Sequence, residues 1–256
     1  MTELSTLVDY ADQRLRTHEI ADFAGAVNGL QIARTCSGEK AKKIEKIGAA
    51  VDADFHSIRA AAEKNFDLLI VHHGLFWETS PLVGARYHKW QLLFEADLAL
   101  YSSHLPLDCH PELGNNAQLA QKLGLTLEGT FCPYHGNDIA SIVSFSADRT
   151  ALRSRLKKRF PKGLQAIEYG SSQPCRIAIL TGSGQSALSQ LQPAGIDTLI
   201  TGELKQQSFN QAQDEQLNLY ACGHYATETF GVCALAQELA ERFSLSWEFL
   251  PSPCCL

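Results

Sequence analysis

At 256 residues, with 45% hydrophobic and 20% charged residues, the chain is long enough to bury a self-supporting core as one large domain or two small ones. A formal charge of -6 gives no electrostatic reason to bind a DNA or RNA backbone, which disfavours a nucleic-acid partner but not a nucleotide-sized molecule. The first residues lack the basic and apolar stretches of a secretory leader, and no run approaches the roughly 18 apolar residues of a membrane span, so a cytoplasmic protein with reduced, scattered cysteines is expected.

An amphipathic helix is predicted from about Thr2 to Arg16, with Leu4, Leu7, Val8, Ala11 and Leu15 at helical spacing. Val27-Asn28-Gly29-Leu30-Gln31-Ile32 then reads as a hairpin turn or as a short strand with a close backbone approach at Gly29. From Lys43 the pattern becomes regular: a strand at Ile44 to Val51, an Ala-rich helix at Asp54 to Lys64 and a buried strand at Asp67 to Val71, together a βαβ unit with parallel strands. That second strand runs into His72-His73-Gly74. A helix from about His88 to Ala96 and a strand at Leu98 to Ser102 lead to His104-Leu105-Pro106-Leu107-Asp108, after which Asn115 or Asn116 caps a helix ending at Gly124.

Between Thr126 and Gly170 the pattern is weaker, with a strand near Ile139 to Phe145 and a basic helix from about Arg149 to Phe160. After Pro174 the βαβ pattern returns with a strand at Ile177 to Leu180, a short helix at Gln185 to Leu191 and a strand at Asp197 to Thr201 that ends in Gly202-Glu203. A polar helix at Gln207 to Gln216, a strand at Leu217 to Cys222, Gly223-His224, a long helix from Thr227 to Phe243 and a strand at Leu245 to Leu250 complete the chain.

The two βαβ blocks superpose without a gap, Ile47 on Ile177 and Ile70 on Ile200. Beyond them, Leu100-Tyr101-Ser102-Ser103-His104 resembles Leu219-Tyr220-Ala221-Cys222-Gly223-His224, with one extra residue before the second histidine. His104 is followed four residues later by Asp108, and His224 four residues later by Glu228. The architecture expected is α/β, two related layers from an internal duplication, with a first half over 1–125, a second over 126–256 and a metal site in the cleft between them.

A histidine and a carboxylate four apart on a helix share one face and can share a metal. His72 and His73 at a strand end, Asp108 after a proline-stiffened loop, and His224 with Glu228 thus supply five groups suited to borderline transition metals. His104, the counterpart of His224, reads as a support for a ligand or a general acid/base, and Glu203, in the place of His73, as a catalytic or supporting group. Trp77 and Phe76 could line a substrate pocket or cover the core, with the core preferred, and His18, His56, His88, His110 and His135 are assigned structural or surface roles. A pair of such ions would lower the pKa of a bridging water and polarise the bond under attack, as in a metal-dependent hydrolase. The alternative is a non-catalytic metal-binding or protein-interaction factor.

Val27-Asn28-Gly29-Leu30-Gln31, Val71-His72-His73-Gly74, His104-Leu105-Pro106-Leu107-Asp108, Gly114-Asn115-Asn116, Thr201-Gly202-Glu203 and Gly223-His224-x3-Glu228 together resemble the NIF-three-like family of dinuclear-metal-centre proteins, often labelled type-2 homologs of GTP cyclohydrolase I. The resemblance implies a duplicated α/β fold and two divalent ions (zinc, manganese, iron, cobalt or nickel) on His72, His73, Asp108, His224 and Glu228. It also implies a homohexameric toroid with the metal sites facing its cavity, a small-molecule substrate of nucleotide type, and no inserted extra domain in the short stretch between Gly124 and Gly170.

Overall fold

The computed structural model describes residues 2–34, 43–77 and 80–254. In chain order its elements are α1 (Leu4–Leu15), β1 (Gly29–Ile32), β2 (Lys46–Asp52), α2 (Phe55–Glu63), β3 (Leu68–His73), α3 (Gly84–Glu95), β4 (Ala99–Ser102), α4 (Leu105–Asp108), α5 (Asn115–Leu123), β5 (Thr126–Tyr134) and β6 (Asn137–Ser144). There follow α6 (Arg149–Arg159), β7 (Gln165–Glu168), β8 (Arg176–Ser183), α7 (Leu188–Leu191), β9 (Thr198–Glu203), α8 (Gln207–Asp214), β10 (Asn218–Ala221), α9 (His224–Thr227), α10 (Thr229–Phe243) and β11 (Ser246–Phe249). Two compact units result, one of Met1–Leu107 with Gly231–Ser252 and one of Asp108–Phe230 with Pro253–Leu256.

The first unit carries a five-stranded sheet in the order β1-β4-β3-β2-β11. β3 is a continuous apolar run because both its faces are covered, as parallel strands between helices require. Ala50, Ile58, Ala61, Leu69, Val71, Leu93, Leu100 and Leu250 form a core on one side. The terminal strand Leu245 to Leu250 joins this sheet as β11, parallel to β2 with Trp247 opposite Ile47. β1 is an antiparallel edge on β4.

The second unit carries a six-stranded sheet in the order β5-β6-β8-β9-β10-β7, over a core that includes Leu119, Val143, Leu152, Leu156, Ile177, Ile179, Ile200 and Tyr220. The order β4-β3-β2 of the first sheet reappears as β10-β9-β8, all parallel, with β7 antiparallel on β10 where β1 lies on β4. Register repeats as well: Ala49 faces Ile70 and Ile179 faces Ile200. The internal duplication read from the sequence is thus consistent with the strand order and register of the two sheets.

Several local expectations change. β5 and β6 form a hairpin whose His135-Gly136 turn has positive φ at both positions, the geometry that matches strand twist. β5 was not expected, because its exposed residues break the alternation on which strand reading depends. Gly114, rather than an asparagine, is the N-cap of α5, and Asn115 and Asn116 are buried inside its first turn. His224 and Glu228 do not begin the long helix: His224 opens the one-turn α9, and Glu228 is its C-cap with φ −102. The basic run Lys157, Lys158 and Arg159 closes α6, where it complements the helix dipole, and the Arg159 guanidinium lies 4.7 Å from the Phe230 ring. Cys109, Cys132, Cys175, Cys222, Cys233 and Cys254 are reduced thiols, whereas Cys36 and Cys255 fall outside the described residues. Among the described residues no helix is long and apolar enough to cross a membrane.

Candidate metal centre

In the first unit the ends of two neighbouring parallel strands bring three imidazoles together. His72 and His73 end β3 and His104 follows β4, the edge of an open α/β sheet where ligands usually bind. One ring nitrogen from each lies within 4.8 Å of the others. Ring centroids are 4.7 Å apart between His72 and His73, and 4.9 Å between His72 and His104.

Each ring is held through Nδ1. His72 Nδ1 lies 2.9 Å from the Ser103 carbonyl oxygen, His73 Nδ1 2.8 Å from Asp52 Oδ1, and His104 Nδ1 2.8 Å from Asp22 Oδ1. A carbonyl or carboxylate oxygen can only accept, so each Nδ1 carries a proton and Nε2 is the nitrogen through which a metal or a substrate would be met. That arrangement suits a metal ligand or a general base. The His104 anchor is itself built: Asp22 Oδ2 accepts from Leu105 N and Asn28 Nδ2, while Asn28 Oδ1 accepts from His104 N. Burial would raise the Asp22 carboxyl, but hydrogen bonds and charge from His104, with Asn28 and Phe23 N, hold it down at about 2.

The turn after the pair is fixed by Gln31. Its Oε1 accepts from Leu75 N at 2.7 Å, and its amide packs where a Cβ on Gly74 would stand, so a larger residue there would have to displace the amide. Trp77 is corrected from core to site: its ring lies 5.0 Å from that of His104 and 6.1 Å from that of His73, with Nε1 donating to Gly74 O. Phe76 packs against Trp90 at 5.2 Å, in keeping with a core role.

In the second unit the equivalent strand ends carry Glu203 and His224. His224 Nδ1 is 3.1 Å from Glu203 Oε1, and its Nε2 is 3.2 Å from Glu228 Oε1. The hydrogen bond to Glu228 is the main cause that raises His224 to about 9, burial opposing and Glu203 assisting. Glycines make room for this group. A Cβ on Gly182, whose φ is +66, would collide with Glu228 Oε1 and approach His224 Nε2 to 3.2 Å. On Gly202 it would lie 2.7 Å from Thr227 Oγ1, which accepts from Gly182 N and so ties α9 to β8. Gly202 occupies the repeat position of His72, so the second unit has exchanged an imidazole for space.

Asp108, also in the second unit, is buried and accepts from Asn115 Nδ2 at 2.8 Å. It lines a cavity of about 190 Å³ with Asn116, Leu127, Ile139 and Ser141. The seven candidate residues therefore fall into a first-unit set (His72, His73, His104) and a second-unit set (Asp108, Glu203, His224, Glu228). Sequence reasoning gave no role to Asp22, Asp52 or Asn28, of which only Asn28 carried a signal, as part of the Asn-Gly stretch, and it named Trp77 as a pocket residue only as the less favoured of two readings.

Imidazole nitrogens and carboxylate oxygens without a thiolate are a donor set for a divalent transition metal, and the cradle about Glu228 and His224 leaves space rather than side chains beside them. These His and Glu groups could hold a metal ion.

The family described as Duf34/NIF3 (NGG1p interacting factor 3) matches residues 2–253. A Deinococcus radiodurans relative named GTP cyclohydrolase 1 type 2 homolog is 38% identical over 233 residues, which cover 89% of this chain and 86% of that protein. A solved structure described as protein ybgI, of unknown function, is 32% identical with a TM-score of 0.90, and TTHA1606 from Thermus thermophilus is 35% identical with a TM-score of 0.86. Both structures are covered completely and cover this chain completely.

Proposed function

Given that the chain belongs to the Duf34/NIF3 family, we propose that it is a metal-dependent hydrolase that acts on a nucleotide or related heterocycle and breaks a C–N or phosphoester bond. The observation that carries this reading is the shared anchoring of His72, His73 and His104, each held at Nδ1 so that Nε2 is the nitrogen presented to a ligand or a proton. His72, His73, Asp108, His224 and Glu228 are the residues that would hold two divalent cations. When bound, such a pair lowers the pKa of a water and polarises the bond under attack.

The remaining work belongs to the side chains. His104 accepts a proton at Nε2, and Asp22, ionised throughout the neutral range, stabilises the imidazolium that results. Glu203, largely solvent-exposed beside His224 Nδ1, orients that ring and passes a proton to solvent. The relative's name, GTP cyclohydrolase 1 type 2 homolog, supports a nucleotide-like substrate. In keeping with the family resemblance, we assign the protein to the cytoplasm as a homohexameric toroid.

The test is elemental analysis of the native protein, followed by a screen of the metal-loaded protein against nucleotides and cyclic amides. Metal-dependent turnover lost in Glu228→Ala is expected. Full metal occupancy without turnover of any substrate would make the protein a non-catalytic metal-binding factor instead.

A further inference from the structure

We propose that the aromatic rings beside the first unit's imidazoles form a stacking platform for a neutral or anionic planar heterocycle; this rests on the hydrolase reading and deepens it by naming the residues that hold the substrate's ring and the charge that ring can carry. Phe23 is 43% exposed although it is a large apolar ring, and its centroid lies 5.4 Å from that of His104. Trp77, half-buried, meets the same imidazole edge-on at 5.0 Å. Two aromatic rings thus border the imidazole that would take up the proton, and both keep surface open to solvent.

The platform is rigid before any ligand arrives. Trp77 Nε1 donates to Gly74 O, and the Gly74-Leu75 backbone beneath it is clamped by the Gln31 amide. Phe23 follows Asp22, whose carboxylate is locked by His104, Asn28 and Leu105. An exposed aromatic pair that merely lacked a core position would need none of this support. Trp90, by contrast, packs on Phe76 within the first unit's core and serves as an internal control.

Chemistry narrows the ligand. Base-like rings stack on aromatic side chains irrespective of their substituents, because each presents a π face, whereas an aliphatic ligand gains only contact area. A lone cation would favour the tryptophan face, but divalent ions held by His72 and His73 would repel it. What remains is a neutral or negatively charged planar ring, held by its face against Phe23 or Trp77 with an edge toward the Nε2 atoms.

The experiment titrates the full-length, metal-loaded protein with guanosine, adenosine and uridine, and with ribose 5-phosphate as the non-planar control, read by saturation-transfer NMR and calorimetry. Saturable binding of the nucleosides is expected, with saturation transferred to base protons rather than to the ribose. Trp77→Ala should weaken it roughly tenfold or more, Phe23→Ala by a smaller factor, and Trp77→Phe and Trp90→Phe by less than about threefold. Phe23→Ala, at an exposed site, keeps the test valid if Trp77→Ala does not fold. Unchanged affinity in the alanine variants, absent nucleoside binding, or ribose 5-phosphate binding as tightly as guanosine would overturn the proposal. Binding that depends on Trp77 without turnover leaves the platform standing and the hydrolase reading refuted; turnover with a KM indifferent to Trp77→Ala does the reverse.

Discussion

Tyr101 in β4 and Tyr220 in β10 hold the same register position in their two sheets, each opposite the isoleucine of the neighbouring strand, Ile70 and Ile200 respectively. Each is fully buried, and each donates its hydroxyl to a carboxylate at 2.8 Å, Asp12 for the first and Glu168 for the second. The duplication has therefore kept a buried polar pair while the partner carboxylate moved from a helix, α1, to a strand, β7.

Removing either hydroxyl leaves a carboxylate short of a donor. Tyr101→Phe and Tyr220→Phe should each cost about 1–3 kcal/mol of unfolding free energy, the range for hydrogen bonds to charged groups. Urea denaturation measures it, and a loss under about 0.5 kcal/mol would show the pair to be dispensable.

Gly182→Ala should leave the fold intact and strip metal from the second-unit set. The new Cβ stands in the space of Glu228 Oε1, and the φ of +66 adds backbone strain to any non-glycine residue. Elemental analysis should show metal affinity reduced by roughly 10–100-fold, the scale seen when the surroundings of a ligand are disturbed. Normal metal content in this variant would refute the role given to the glycine.

Metal binding should release protons and strengthen with pH. His224, raised to about 9 chiefly by Glu228, is protonated at neutral pH in the metal-free protein, and a cation must displace that proton to reach Nε2. The folded pKa lies above the ordinary 6.5, so the His224–Glu228 pair stabilises the metal-free fold fully below pH 6.5 and loses that contribution as pH rises to about 9. Calorimetry of metal binding in buffers of different ionisation enthalpy gives the proton count, and no release at pH 7 would contradict the assignment.

Asp22→Asn should destabilise the protein at neutral pH and remove part of its acid sensitivity. The carboxyl is held at about 2 instead of 3.8, so its contribution is complete above pH 3.8 and disappears as pH falls through 2. The difference corresponds to about 2 kcal/mol, and the side chain is only 5% exposed, so screening takes little from it. Unfolding free energies of the two proteins should converge near pH 2; a constant gap from pH 7 to pH 2 would assign the loss to packing instead.

How much of this was legible beforehand depended on the kind of signal. Apolar runs such as Leu68 to Val71 and Ile177 to Leu180 announce parallel strands by themselves, and their repetition announced the duplication. The ligand candidates were legible because histidines are few and fell, with carboxylates four residues on, at matching strand ends. Their anchors were not: Asp22 and Asp52 lie 82 and 21 residues from the imidazoles they hold, and nothing in a lone aspartate reveals a partner at such a distance. Trp77 looked like core because an aromatic after an apolar strand usually is. The break between α9 and α10 escaped notice because Glu228 and Thr229 carry no helix-stopping residue, and the turn is set instead by Thr227 hydrogen bonding to Gly223, His224 and Gly182.

The place of β11 beside β2 bears on how the protein is made. Ser246 to Phe249 pair with Lys46 to Ala49, so the first sheet needs a strand that leaves the ribosome some 200 residues after its neighbour. The second unit, drawn almost wholly from Asp108–Phe230, has all six strands of its sheet in hand before β11 is synthesised. The middle of the chain is thus the part able to fold first during translation, and the N-terminal segment must wait with one strand edge open until the last helix and strand arrive.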